Sequence, residues 1–230
     1  MNRLAIIPAR GGSKRIKNKN IKLFNGKPII IHTLETVIKT NLFKKIHIST
    51  DSKKIIKICE KKLKIDFLRP KKFSNDKAPL INVLKYVTNK YLKLGEKFDE
   101  IWLIFPCSPL MEPKDYFNIK NLINKNLKKK IVMTVSEFPA PIERSFRIGK
   151  DNELKAVNIK NFTKGKQRFH PAYFETGAVV AIPKINLQNI SDKPYLRKIV
   201  PYVVEKHKSI DINNISDWKF AELIHKSVNK

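Results

Sequence analysis

The chain has 230 residues and a formal net charge of +28, and 42% of its residues are hydrophobic. This length suits one domain with a full core, which we expect to span residues 1–230. No apolar run approaches the ~20 residues of a membrane helix, and the N-terminus shows a strand pattern in place of a signal peptide. We therefore expect a cytoplasmic protein with no membrane partner. Cys59 and Cys107 are too few for a disulfide framework.

The positive charge permits three kinds of partner, namely nucleic acid, an anionic membrane surface and anionic small substrates. The lysines are scattered through nearly every segment, and the short clusters at 71–72 and 128–130 lack the interleaved aromatic residues of single-strand binders. This pattern favours a general compositional bias, so we expect no specific nucleic-acid partner. A basic nucleic-acid-binding protein is the alternative that the charge suggests.

A glycine-rich basic loop follows the first predicted strand. Residues 4–8 form an apolar run typical of a buried strand. The loop then runs through Ala9, Arg10, Gly11, Gly12, Ser13, Lys14 and Arg15 and closes at Asn20. Its backbone N–H groups, hydroxyl and cations are the ingredients of a polyphosphate cradle. The spacing is that of neither a Walker A loop nor a dinucleotide-binding loop, and a basic solvated loop is the simpler alternative.

The same stretch resembles a known family. Residues 7–16, Ile-Pro-Ala-Arg-Gly-Gly-Ser-Lys-Arg-Ile, and then Lys-Asn-Ile at 19–21, resemble the signature loop of the cytidylyltransferases that activate nonulosonic acids with CTP. These enzymes are the synthetases for sialic, legionaminic and pseudaminic acids. The resemblance implies an α/β fold of the nucleotide-diphospho-sugar transferase type, a Rossmann-like three-layer sandwich with a mixed, mostly parallel sheet. It also implies CTP and a nonulosonic acid as substrates and Mg²⁺ as cofactor.

An α/β pattern follows the loop. Apolar residues on one face predict a helix from about 27 to 40, with Pro28 in its first turn. A strand at 46–50 leads to Asp51 and Ser52, a natural N-cap for the next helix. Residues 66–69 are predicted to form a short third strand.

Residues 68–70, Leu-Arg-Pro, resemble the family segment that borders the cytosine pocket. An arginine such as Arg69 at a strand's carboxyl end can contact a pyrimidine carbonyl or a phosphate. Asp76 can either hold that arginine or cap the following helix. At 78–80 the chain has Ala-Pro-Leu, so it departs from relatives that place a hydroxyl residue there.

The most apolar strand, at 100–105, is expected in the centre of the sheet. Residues 106–110, Pro-Cys-Ser-Pro-Leu, resemble the family's next turn, with Cys107 in place of the usual threonine. Two prolines make this loop rigid at the carboxyl edge, where open α/β sheets bind ligands, so Ser108 is predicted to meet the nucleotide or the sugar. A helix at about 114–126 and a buried strand at 131–136 come next.

The block 137–144, Glu-Phe-Pro-Ala-Pro-Ile-Glu-Arg, is most similar to the pseudaminic acid branch of the family. We therefore favour pseudaminic acid over sialic or legionaminic acid. Arg144 could bind the sugar carboxylate or a phosphate, or form a surface salt bridge. Alternating stretches with turns at 147–169 predict a protruding β-arm. By resemblance, an arm at about 140–180 mediates a homodimer.

Residues 167–178 occupy the place of the family's sugar-binding segment. Gln167, Tyr173 and Gly177 fit that segment, whereas Arg168, Phe174 and Glu175 depart from the pseudaminic pattern. The sequence therefore predicts a sugar site here and leaves the identity of the sugar open.

The C-terminal part contains a predicted edge strand at 200–204, because Pro201 removes a ladder donor. Residues 209–218 resemble the family's ending, in which alternating acidic or amide residues meet the metal. Alternation would put Asp211 and Asn213 on one strand face, where both could direct oxygens at Mg²⁺ on a triphosphate. We interpret Asp217 as a first-turn dipole partner of the last helix.

Residue chemistry and resemblance together give a set of assignments. Catalysis is assigned to Arg10, Lys14 and Asp211, and the metal to Asp211 and Asn213. Nucleotide binding is assigned to Ala9, Arg10, Gly11, Gly12, Ser13, Lys14, Arg15, Asn20, Arg69, Asp76 and Ser108. Sugar binding is assigned to Arg144, Gln167, Tyr173 and Gly177. The predicted reaction is attack of the sugar's anomeric hydroxyl on the α-phosphate of CTP. Another sugar nucleotidyltransferase or a reductase of the same architecture is the alternative.

Overall fold

The computed structural model describes residues 1–75, 78–126, 129–162, 165, 168–189 and 199–228. Within these residues the main sheet has six strands, β1 Arg3–Pro8, β4 Lys45–Ser49, β5 Glu100–Ile104, β6 Ile131–Glu137, β9 Tyr173–Pro183 and β10 Ile199–Val203. Two hairpins pair β2 Leu23–Phe24 with β3 Lys27–Pro28, and β7 Phe146–Ile148 with β8 Leu154–Ala156. The helices are α1 Ile29–Lys39, α2 Lys53–Cys59, α3 Leu80–Lys93, α4 Pro113–Lys125, α5 Lys184–Asn189 and α6 Ile215–Val228.

The strand order of the main sheet is β10-β6-β9-β5-β1-β4. β1 runs parallel to β4 and β5, and β10 runs parallel to β6, whereas β9 is antiparallel to β5 and β6. The predicted mixed, mostly parallel sheet is therefore confirmed. Because β9 runs in the opposite direction, its amino end lies at the same edge as the carboxyl ends of the other strands.

Alternate residues of β1 face two separate cores. Ala5 and Ile7 pack with apolar residues of α1, α2 and α4, whereas Leu4 and Ile6 pack with those of α3 and α5. Strands buried on both faces are typical of sheets that are covered by helices on both sides. The three-layer α/β sandwich is confirmed. No helix in the described part of the chain has the length and apolar character needed to cross a bilayer.

Two strand predictions are confirmed by position. All five residues of β5 are buried, and this strand lies inside the sheet between β1 and β9. β10 lies at the end of the sheet order and contains Pro201. An edge position suits proline, since its missing N–H would otherwise leave a ladder bond unmade.

The predicted third strand at 66–69 is wrong. These residues belong to no ladder, although the Arg69 N–H donates to the Thr50 carbonyl at 2.8 Å. One such bond fixes the path of the chain beside β4 without forming a strand. The position of Pro28 also differs, because it ends β3 immediately before α1 begins at Ile29.

A short hairpin was missing from the sequence-based expectations. Asn25 and Gly26 connect β2 to β3 with φ angles of 44° and 90°. Two central residues with positive φ are what a tight hairpin turn of the I′ type requires, and Asn-Gly is its favoured sequence. The Asn25 amide donates to the Glu222 carbonyl at 2.9 Å, so the hairpin anchors α6.

The hairpin β7–β8 lies outside the main sheet, within the region predicted to form a β-arm. It occupies only part of the range 140–180, since β9 enters the main sheet at Tyr173. Its side chains are largely exposed, including Ile148 at 71% and Leu154 at 67%.

Two buried histidines make the stability of the fold depend on pH. His32 donates to the Phe24 carbonyl at 2.7 Å, and His47 stacks on Phe67 with 4.3 Å between ring centroids. Burial, as the largest cause, lowers the pKa of each from 6.5 to about 4. Between these values the unfolded chain binds more protons than the folded chain, so stability is full above pH 6.5 and falls as the pH decreases toward 4.

We expect each histidine to cost up to about 3 kcal/mol of unfolding free energy by pH 4. Urea unfolding between pH 7.5 and 4.5 measures this slope. His47→Gln should flatten it, whereas His170→Gln should not, because His170 is already exposed in the folded chain. A wild-type stability that stays constant across this range would contradict the prediction.

Candidate active site

An open cleft of about 860 Å³ lies at the carboxyl edge of the sheet, where the loops after β1 and β5 meet. Its other walls come from Arg69, from the first residues of β9 and from residues 211 and 213. Open α/β sheets bind ligands at this edge, near the point where the strand order reverses. Here β4 and β5 flank β1 on opposite sides, which places the reversal beside the glycine-rich loop.

The loop after β1 is held by hydrogen bonds to two other segments and by one within the loop. The Gly11 N–H donates to Asp51 Oδ1 at 3.0 Å. The amide of buried Asn20 donates to the Arg10 carbonyl at 3.0 Å, and the Cys107 thiol donates to Asn20 Oδ1 at 3.4 Å. Ala9, which is fully buried, starts the loop at the end of the sheet. The backbone of the loop is therefore fixed by the protein itself.

This loop brings its predicted polyphosphate-binding side chains to the cleft. Arg10, Ser13, Lys14 and Arg15 all line it, and the two side chains at positions 14 and 15 are exposed. Three cations and a hydroxyl on one wall make the cleft attractive to a polyanion.

Arg69 forms a second, more buried positive group in the cleft. Its Nε donates to Ser49 Oγ at 3.1 Å, and its guanidinium also donates to the Ser49 carbonyl. Burial lowers the pKa of Arg69 to about 10, against the opposing effect of Asp51, so the group stays charged at neutral pH. Apolar side chains at 73, 80, 83 and 105 line the cleft as well. Asp76 lies outside the described residues.

The segment that carries Asp211 and Asn213 is irregular, so the prediction that they share a strand face is wrong. The two side chains nevertheless meet, because the Asn213 amide donates to Asp211 Oδ2 at 2.6 Å. Asp217 accepts from the N–H groups of Asn213 and Asn214 at 2.7 and 3.0 Å. It therefore caps the start of α6. This position agrees with our interpretation of Asp217 as a residue of the first turn of the last helix.

The comparisons with known proteins agree with this geometry. The sequence profile described as "Cytidylyltransferase" matches residues 4–219. The chain belongs to this family. It is 30% identical to pseudaminic acid cytidylyltransferase of Campylobacter jejuni, over 98% of this chain and 97% of that protein. It is also 28% identical to CMP-N,N'-diacetyllegionaminic acid synthase of Legionella pneumophila, over 96% and 95% of the two chains.

A solved structure shares the fold of this cytidylyltransferase. CMP:2-keto-3-deoxy-manno-octonic acid synthetase, crystallised with CTP, superposes with a TM-score of 0.69 at 13% identity, covering 99% of this chain and 100% of that chain. Such a low identity shows the architecture alone. The roles of individual residues in the cleft must therefore be argued from this chain's own geometry.

Ser108 lines a small cavity together with Asp211 and Gly177, and it is not among the residues that line the main cleft. Its hydroxyl donates to the Phe105 carbonyl at 3.1 Å, and its N–H donates to Thr33 Oγ1 at 3.2 Å. In the described structure, the part of this loop that lines the cleft is residues 105–107. Burial raises the pKa of the Cys107 thiol to about 12, which keeps it protonated and unsuited to act as a nucleophile.

The cleft contains a carboxylate that the residue-based assignments did not include. Glu175, at the start of β9, lines the cleft together with Asp211. Burial and then the negative charge of Asp211 raise the pKa of Glu175, so the two carboxylates lie close enough to repel each other. The register of β9 against β6 shifts between Met133 and Val135, next to the position where Val135 pairs with Glu175. In the sequence, the only signal for Glu175 was that it departs from the pseudaminic pattern.

The predicted sugar-binding residues do not all come together. Gly177 lines the cleft and has a φ of 61°, which favours glycine. Tyr173 pairs with Glu137 and is 47% exposed. The Arg144 guanidinium lies over the Phe162 ring, 5.1 Å from its centroid. Gln167 lies outside the described residues.

The two loop glycines should respond differently to alanine. A Cβ on Gly11 would approach Ser52 Cβ to 3.1 Å, whereas a Cβ on Gly12 would meet nothing within 4 Å. We expect Gly11→Ala to lower the unfolding free energy by about 1 kcal/mol through overpacking. Gly12→Ala should be neutral or slightly stabilising, because alanine reduces the entropy of the unfolded chain. Thermal or urea unfolding of both variants checks this, and the reverse order of stability would contradict it.

Proposed function

We propose that this cytidylyltransferase transfers CMP from CTP to a nonulosonic acid, with pseudaminic acid as the favoured acceptor. The observation that carries the proposal is one cleft in which Arg10, Lys14 and Arg15 lie on one wall and Asp211 on another. A triphosphate fits the cationic wall, and the apolar residues beside Arg69 suit a pyrimidine base. The pseudaminic and legionaminic relatives make a carboxylated nine-carbon sugar the fitting acceptor.

In this reaction the anomeric oxygen of the sugar forms a bond to the α-phosphorus of CTP. The bond from that phosphorus to the bridging oxygen breaks, and pyrophosphate leaves with the electron pair. Negative charge spreads over the phosphoryl oxygens, so catalysis depends on positioning and charge neutralisation. Arg10, Lys14 and Arg15 can provide that neutralisation from their wall of the cleft. We assign no general base to the hydroxyl proton.

The residues at 211 and 213 fit a magnesium ion. The Asp211 carboxylate is exposed at the cleft, and Asn213, whose N–H group donates to that carboxylate, would offer its amide oxygen to the ion. Among the described residues no cluster of three or more His, Cys, Asp or Glu side chains could hold a metal. A site with few protein ligands suits Mg²⁺, which keeps several waters and binds substrate phosphates. When bound, the ion would polarise the phosphoryl oxygens of CTP.

Pyrophosphate release tests the proposal directly. The protein is incubated with CTP, Mg²⁺ and either pseudaminic, legionaminic or N-acetylneuraminic acid. We expect fastest turnover with pseudaminic acid, since the 137–144 block is most similar to that branch. If only legionaminic or only N-acetylneuraminic acid is turned over, the proposed reaction stands and the proposed substrate is replaced by that acid. Equal turnover of all three would show that residues 137–144 carry no specificity.

Ligand-dependent stability separates this proposal from other classes of nucleotide protein. CTP with Mg²⁺ should raise Tm more than ATP or NAD does, because a ligand stabilises the state that binds it. Stabilisation by NAD or by ATP alone would contradict it. The net charge of +28 should give only weak, salt-sensitive retention of DNA or RNA in a gel-shift assay.

We also propose that the enzyme is a cytoplasmic homodimer, since CTP is a cytoplasmic metabolite and the hairpin β7–β8 exposes apolar side chains. Ile148 and Leu154 on this hairpin and Ile159 after it are 71%, 67% and 76% exposed. Burying them against a second copy would remove this area from water. Light scattering should give the mass of a dimer, and Ile148→Asp with Leu154→Asp should shift it toward the monomer. A monomeric wild type would contradict the assembly and leave the reaction unaffected.

A further inference from the structure

A buried lysine lies directly upstream of the segment that carries Asp211. Lys208 ends a single-turn 3-10 helix at residues 206–208, and only 1% of its side chain is exposed. Lysine is rarely buried to this extent unless its charge is paired. Its position between the sheet and the cleft therefore needs a structural reason.

The ammonium group of Lys208 is paired with the start of α4. It donates to Glu112 Oε2 at 2.6 Å and to the two carboxylate oxygens of Asp115 at 2.9 and 3.2 Å. Asp115 also accepts from the Tyr202 hydroxyl at 2.8 Å and from the Glu112 N–H at 2.8 Å. Lys208 holds the pKa of Glu112 below its usual range. The network thus ties residue 208 to α4 and to β10.

From this anchor the chain runs along the cleft. Ile212 is buried and packs with α6, and Ile210 packs against the same cluster, whereas Asp211 between them faces the cleft. Lys208 and Asp211 also line a common small cavity behind the cleft. Downstream, the Ile212 carbonyl accepts from Lys19, and Asp217 holds the backbone of Asn213. The upstream end of the segment depends on Lys208.

We propose that Lys208 is a positioning residue, which fixes the Asp211 carboxylate for the divalent cation by docking residues 209–213 onto the start of α4. This inference rests on the proposed function. Residues behind a metal ligand set its orientation, and their loss typically lowers metal affinity by 10- to 100-fold. Lys208 does not touch the substrate in this role, so the binding of CTP itself should depend on it little.

Lys208→Met tests the inference, with Mn²⁺ as the probe. Free Mn²⁺ is measured by electron paramagnetic resonance in the presence of CTP, and the Mg²⁺ dependence of turnover is measured in parallel. We expect at least a 10-fold weaker Mn²⁺ affinity and a similar rise in the Mg²⁺ concentration for half-maximal rate. The KM for CTP at saturating Mg²⁺ should change less than 2-fold, and high Mg²⁺ should restore most of kcat.

Two further variants make the result decisive. Lys208→Met with Asp115→Asn removes both buried charges together, so the fold is kept if the single variant fails to fold. Lys114 contacts Glu112 and Glu205 at 3.2 and 3.3 Å but is exposed, so Lys114→Met is the matched control and should leave Mn²⁺ affinity unchanged.

Equal Mn²⁺ affinity in the wild type and in both Lys208 variants would overturn the positioning role, even if their Tm fell. Failure of the wild type to bind Mn²⁺ with CTP, or to turn CTP over, would instead remove the proposed function and this inference with it. A weaker Mn²⁺ affinity in the Lys208 variants, with Lys114→Met like the wild type, supports the inference.

Discussion

Asp211→Ala should abolish turnover while leaving the protein folded. If this carboxylate holds the ion that neutralises the triphosphate, its loss removes several kcal/mol of transition-state stabilisation, so kcat/KM should fall at least ~1000-fold. Asp211 is exposed, and its carboxylate accepts a hydrogen bond from the nearby amide of Asn213. The change in unfolding free energy should therefore stay within about 0.5 kcal/mol. Pyrophosphate release and urea unfolding measure the two effects.

Asp217→Ala is the matched control for this prediction. Asp217 lies six positions further along the same segment, and its carboxylate caps α6 through the N–H groups of Asn213 and Asn214. Losing a cap costs about 1 kcal/mol of stability, so this variant should melt earlier. Because the Asp217 carboxylate does not line the cleft, its turnover should fall far less than that of Asp211→Ala. If Asp211→Ala keeps wild-type activity at ordinary Mg²⁺ concentrations, the ion is held elsewhere.

Lys14→Met should lower kcat by about 100- to 1000-fold. Lys14 is exposed on the wall of the cleft, in the loop that we propose binds the triphosphate. Removing one preorganised donor from a site where charge develops costs an effect of this size in other enzymes. KM for CTP should rise less than kcat falls, because the charge on the phosphoryl oxygens grows in the transition state. Steady-state kinetics at saturating sugar and Mg²⁺ measures both constants.

Lys17 provides a control with the same chemistry. It is also exposed and lies three positions along the loop, but it does not line the cleft. Lys17→Met removes the same charge from the chain and should leave kcat within about 2-fold of the wild type. If both variants lost activity equally, the loop would act through its general field and not through a specific contact.

Local patterns in the sequence predicted much of the fold. Apolar runs identified β1 and β5, and Pro201 identified β10 as an edge strand, because these features depend on residues next to one another. The hairpin at Asn25 and Gly26 was missed, although its turn sequence is a favoured one, since β2 and β3 have only two residues each. Strands of two residues are too short to show the alternation of apolar and polar residues from which a strand is predicted.

The features that could not be predicted depend on contacts between residues that are far apart in the sequence. Residues 66–69 carry a strand-like sequence, but their backbone is tied to the sheet by one bond, from Arg69 to Thr50 just after β4, so no strand forms. Asp211 and Asn213 were expected to meet through strand alternation and meet instead in an irregular segment. Glu175 reaches the cleft beside a bulge whose presence depends on how β9 registers with β6. The glycine-rich loop was recognised because its residues are consecutive.

The reversed direction of β9 has a consequence for how such enzymes diversify. The connection between β6 and β9 leaves and re-enters the sheet at the edge that holds the cleft, so its two ends lie at that edge. We propose that the nucleotide is bound by the loops after β1 and β5, which lie earlier in the chain. On this proposal, insertions or substitutions between β6 and β9 change the acceptor site while the nucleotide site keeps its geometry, so that acceptor choice can evolve separately.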